Sequence, residues 1–173
     1  MASLRLALAA ALLPLLSACT ATVPFDVADQ VPLQSPGGAF SVQQPVDLSS
    51  VPALWSHRND ISDVSVDELR ATVISLGATH RAASVTLVVA LRPDGAPADG
   101  SQDVPFGTII GLPLAAGATA ALPGSAEIDA FLGGALHGSG RFTVVASGDL
   151  ADVADVVLEL QLQGSASYEV IKG

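Results

Sequence analysis

Near its carboxyl end the chain alternates strictly: Val156, Leu158, Leu160 and Leu162 take every second place, with Val157, Glu159, Gln161 and Gln163 between them. A period of two fits an extended strand that buries one face and wets the other. An α-helix would scatter those four apolar residues around its axis. The same rhythm recurs near the amino end, where Val23, Phe25 and Val27 alternate with Thr22, Asp26 and Ala28.

More strands are expected between these two. Phe40 to Leu48 reads as extended but holds Pro45, which assigns it to a sheet edge. Ser84 to Arg92 is apolar on both faces and predicts a central strand, ended by the turn tripeptide Pro93-Asp94-Gly95. Val104–Leu112 and Leu114–Leu122 are shorter apolar stretches punctuated by glycines, and Arg141–Gly148 and Ala154–Ile171 close the chain around a turn at Gly148-Asp149. Gly164 predicts a bulge or bend. Ser65-Val66-Asp67-Glu68 matches a helix capping box, yet β-branched residues follow it, so a full helix and a single turn leading into a strand are both open. Ser50 is placed to cap a short helical turn with Pro52 in it and Leu54 and Trp55 facing inward.

The clearest helix is Ala126 to His137. Ser125 is its N-cap, and Glu127 and Asp129 put negative charge on the first turn. Ile128, Phe131, Leu132, Ala135 and Leu136 form one apolar stripe, and Gly138 ends it. The sum is a mainly β chain: an antiparallel β-sandwich of seven or eight strands with one amphipathic helix, in a single domain over 23–173. In the order of its elements alone it resembles the small immunoglobulin-like or LEA-type sandwiches of envelope proteins.

Composition narrows the function. At 173 residues there is room for one substantial domain. A net charge of −10, with 7 Lys+Arg scattered along the chain, excludes nucleic acid as a partner, since neutralising phosphates takes clustered cations. The single Cys excludes a disulfide framework and a multi-cysteine zinc site.

That cysteine follows an export signal. Arg5 precedes an apolar run from Leu6 to Leu16, too short to span a bilayer and interrupted by Pro14, and Ser17-Ala18-Cys19 close it with small side chains. Leu16-Ser17-Ala18-Cys19 resembles the lipobox of bacterial lipoproteins at every place. The resemblance implies a signal peptide over 1–18 cut between Ala18 and Cys19. It further implies a diacylglycerol on the Cys19 sulfur, acylation such as palmitate on the new amine, and a membrane anchor in the cell envelope. Thr20 in the next place favours the outer membrane, with the body on its periplasmic or surface face, over the inner one. Residues 19–22 would then be a short lipidated tether.

Candidate chemistry in the body is sparse. Trp55, His57, Arg58 and Asp60 form the densest group of functional side chains and the candidate site for a protein partner. The alternative has Trp55 plugging the sandwich end while Arg58 pairs with Asp60 or Asp63. His57, His80 and His137 lack metal-ligand spacing, and Asp94, Asp99 and Asp103 lack the spacing of a calcium loop, so no metal and no cofactor is expected. Ser139 beside His137 is the sole hint of a serine hydrolase, but its flanking glycines are adjacent rather than two residues away, and no catalytic residues are assigned. The expectation is a non-enzymatic envelope lipoprotein with a binding or structural role. A carrier of lipid or another apolar ligand, held between sheet and helix, is the alternative.

Overall fold

A computed structural model describes residues 19–170; the expected signal segment lies outside the described residues. Eight strands run as β1 (Cys19–Ser35), β2 (Gly38–Asp47), β3 (Ile61–Leu76), β4 (Ser84–Pro93), β5 (Val104–Pro113), β6 (Thr119–Pro123), β7 (Arg141–Leu150) and β8 (Ala154–Val170). Helix α1 (Pro52–His57) lies between β2 and β3, and α2 (Ala126–His137) between β6 and β7.

The strands form two antiparallel four-stranded sheets, ordered β1-β8-β3-β6 and β2-β7-β4-β5. First pairs with last, second with seventh, third with sixth and fourth with fifth. The chain is thus one long hairpin, its tip between β4 and β5, rolled up so that β3 meets β8 and β4 meets β7. That is the jelly-roll form of the antiparallel sandwich. The expected mainly β sandwich holds, but its strand order differs from the immunoglobulin one because successive strands mostly cross between sheets.

Alternation decides which face each strand buries. Val156, Leu158, Leu160 and Leu162 of β8 and Val85, Leu87, Val89 and Leu91 of β4 belong to one continuous core between the sheets. Each fully buried side chain of this size contributes about 1.5–3 kcal/mol. All four edge strands carry exposed prolines: Pro24 and Pro32 in β1, Pro45 in β2, Pro105 and Pro113 in β5, and Pro123 in β6. A proline offers no N–H to an incoming strand, so the edges are blunted against self-association. Central β4 is lateral centre only, since Val88 is exposed on its outer face.

Several local expectations need correcting. The capping-box segment is strand: Ser65 and Asp67 point outward from β3, Val64 and Val66 point inward, and Glu68 pairs with Arg70. Two ladders, to β6 and β8, outweigh one helical cap. β1 reaches back to Cys19, opposite Val170, so residues 19–22 are strand rather than tether. β7 runs through Gly148-Asp149 to Leu150. A Cβ on Gly148 would meet the Thr86 carbonyl at 2.2 Å, so the glycine serves close strand approach, not a turn. The irregularity expected at Gly164 lies opposite it, in β3 between Val66 and Glu68. Ser50 caps nothing; Asp47 caps a 3-10 turn over Leu48–Ser50 instead. Helix α2 has the expected bounds, with Ser125 Oγ accepting from the Ile128 amide at 3.3 Å.

Because every pairing is antiparallel, the odd strands begin and the even strands end at one end of the sandwich. That end carries Cys19, Val170, both helices and the β4–β5 connection. Short turns close the other.

Candidate functional site

The group singled out in the sequence sits at the Cys19 end. Pro52 opens α1, where a missing N–H costs nothing, and Leu54 anchors it with no exposed surface. Just before it, the Leu48 amide donates to the Gly140 carbonyl at 2.8 Å, fastening this segment to the start of β7. Asp47 Oδ1 accepts from the Ser49 amide at 2.9 Å and from its hydroxyl at 2.5 Å, and Asp47 Oδ2 accepts from Arg141 at 3.1 Å. The Ser49 hydroxyl first, then its amide and Arg141, hold the Asp47 carboxyl below the usual carboxylate value.

On this base the aromatic side chains interlock. Trp55 packs on Gly140, whose φ of +75° and lack of a Cβ are both needed, since a Cβ would lie 2.6 Å from the indole. The Arg58 guanidinium lies 4.3 Å from the centroid of the Trp55 ring, and its Nη1 donates to the Trp55 carbonyl at 3.0 Å. His57 stacks on Tyr168 of β8, ring centroids 4.2 Å apart and planes 9° from parallel. Asp60 is exposed, and its amide donates to the His57 carbonyl at 2.8 Å. Trp55, His57 and Arg58 are therefore brought together, half-buried, with Asp60 at their margin.

The expected pairing of Arg58 with Asp60 or Asp63 does not form. Ion pairs among the described residues are Arg70–Glu68, Arg92–Asp103 and Arg141–Asp47. Sequence reasoning missed Tyr168 and Gly140 as members of the group. Tyr168 had a signal: it is the sole tyrosine, in the same inward phase as Val156 to Leu162.

The remaining candidates fall apart in space or chemistry. Asp103 is held bidentate by Arg92 at 2.7 and 2.8 Å, closing the tip of the long hairpin, and pushes the guanidinium pKa up. Asp99 accepts from the Ser101 amide at 2.9 Å, which holds its carboxyl below the usual value. Among the described residues no three potential metal ligands converge. His137 Nδ1 lies 2.8 Å from the Gly133 carbonyl, and Ser139 Oγ accepts from the Arg141 amide at 3.2 Å, so each is committed to the backbone around the end of α2.

The space between the sheets lined by Val27, Val46, Leu69, Val144 and Leu160 measures about 10 Å³, room for one water at most. An apolar ligand has no chamber there. A groove of about 340 Å³ runs along the surface between α2 and the start of β3, past Asp63, Asp129 and His137. Asp129 uses its Oδ1 to accept from the Val66 amide at 2.7 Å, pinning helix to strand. Among the described residues no helix is long and apolar enough to cross a membrane.

No protein-family model and no curated protein matches the chain. It is similar to solved structures of Desmodium yellow mottle tymovirus (13% identity, 88% of this chain and 91% of that one, TM-score 0.35). A structure of turnip yellow mosaic virus gives 12% identity over 99% and 90%, TM-score 0.38. One of Nora virus gives 8% identity over 90% and 62%, TM-score 0.41.

Proposed function

We propose that this chain is a lipid-anchored protein of the bacterial cell envelope, acylated on Cys19, whose sandwich body binds or organises a protein partner without catalysing a reaction. One observation carries the reading: the chain's only cysteine stands at the last place of Leu16-Ser17-Ala18-Cys19, behind a short apolar run led by a cation. Its thiol is the nucleophile such an attachment needs. Two or three acyl chains, at about 0.8 kcal/mol per buried CH₂, give stable anchoring.

Geometry lends support. The β1 ladder begins at Cys19, so a lipid there holds the body directly against the bilayer surface.

The test is the mass of the amino-terminal peptide of protein made in its native host. Acylated Cys19 as the first residue is expected, with Cys19→Ser moving the protein out of the membrane fraction. A free thiol behind an intact 1–18 segment overturns the reading. Crosslinking in the envelope tests the partner; a body that captures none removes the binding role from the proposal.

A further inference from the structure

We infer that the α1 end of the sandwich rests on a zwitterionic phospholipid surface through Trp55, Arg58, Tyr168 and Val170; this rests on the anchoring of Cys19 proposed above. The juxtaposition is a matter of register. Cys19 pairs with Val170, and Ala21, two residues on, pairs with Tyr168. Tyr168 carries the stacked ring of His57, and Trp55 with Arg58 above it stands on the same short helix end. Val170 leaves 37% of its surface exposed beside the attachment residue.

These are the residue types that settle at the boundary of headgroup and acyl chain. Trp and Tyr put an amphipathic ring there, and a guanidinium reaches phosphate oxygens. Trp55 and Tyr168 are the only Trp and the only Tyr of the chain, and both lie at this one end. Charge selects the lipid. Asp60, Asp63 and Glu169 are exposed around the group, so anionic headgroups are repelled while zwitterionic ones offer phosphate without net charge. The contact can be weak, because attachment at Cys19 raises the local concentration of lipid surface to the millimolar range or above, about that of a short linker.

The single Trp makes the inference measurable. Every strand of both sheets lies within 19–170, so the chain from Cys19 onward carries the whole sandwich. That chain, coupled through its one thiol to a maleimide lipid in phosphatidylcholine vesicles brominated in their acyl chains, should lose Trp55 emission relative to the same chain in unbrominated vesicles, as a ring at the interface would. Cys19→Ser with Ala151→Cys tethers the opposite end and should show no quenching. Equal quenching from both tethers, or none from either, overturns the inference. Arg58→Glu combined with Val170→Glu, two substitutions outside the core, should abolish quenching while the chain keeps one cooperative unfolding transition, its midpoint lowered only by the lost Arg58–Trp55 contact; quenching that survives them also overturns it. Added phosphatidylglycerol should weaken the signal, and strengthening would contradict the charge argument. The maleimide tether needs no acylation, so an unmodified native Cys19 removes the anchor alone, and an unquenched Trp55 removes the docking alone.

Discussion

His57 of α1 lies flat on Tyr168 of β8, 4.2 Å between ring centroids, and so joins that helix to that strand. This pair is expected to couple the two elements energetically. A double-mutant cycle of His57→Ala and Tyr168→Ala in urea should return an interaction energy in the range of aromatic pairs, about 0.5–1.5 kcal/mol. Strict additivity would show that the rings merely lie side by side.

The Arg92–Asp103 pair closes the hairpin tip with both side chains largely buried. Removing one partner strands the other, whereas replacing both with apolar side chains of similar size strands neither. Asp103→Ala should therefore lower the thermal midpoint more than Arg92→Met combined with Asp103→Leu. The reverse order in calorimetry would contradict this account.

Gly164 is a place where a side chain cannot fit. Its Cβ would come within 2.4 Å of the Ser65 carbonyl and 2.6 Å of the Phe25 ring. Gly164→Ala should cost about 1–3 kcal/mol as overpacking. Gly134, inside α2 with nothing near its missing Cβ, should behave oppositely, Gly134→Ala gaining about 0.5–1 kcal/mol from helix propensity. Denaturant midpoints of the two variants should move in opposite directions.

Asp47 predicts part of the acid limb of stability. Its carboxyl is held below the ordinary value by Ser49 and then Arg141, so in the unfolded chain it binds a proton more readily. The contribution is complete above the unfolded pKa of about 3.9 and disappears as pH falls through the lower folded value. Asp47→Asn should flatten the fall in unfolding midpoint over that window and leave its slope near neutrality unchanged. An unaltered acid limb would assign the effect to other carboxylates.

Much of this architecture was legible where local chemistry and tertiary packing agree. Ser125, the acidic first turn and the apolar stripe marked α2 to the residue, and Pro45 marked β2 as an edge. Where they disagree, the ladder prevailed. Ser65 and Glu68 carry a helix start, but β3 gains neighbours on both sides by staying extended. The weak Cys19–Thr22 pattern becomes strand because β8 offers it a template. Pairing of first with last and second with seventh leaves no trace in any short window, so a sandwich could be read from the chain and its strand order could not. The site divides likewise: Trp55, His57 and Arg58 are neighbours in sequence, while Tyr168 and Gly140 reach them only through the roll of the hairpin.

Cys19 stands at the tip of an edge strand zipped over all its 17 residues to β8. Force applied there along the strand must shear the whole row of backbone bonds together, because those bonds lie across the pull. A sideways tug on the same residue meets them singly. A chain gripped by its first strand in this way withstands being lifted end-on and yields, rung after rung, to being dragged.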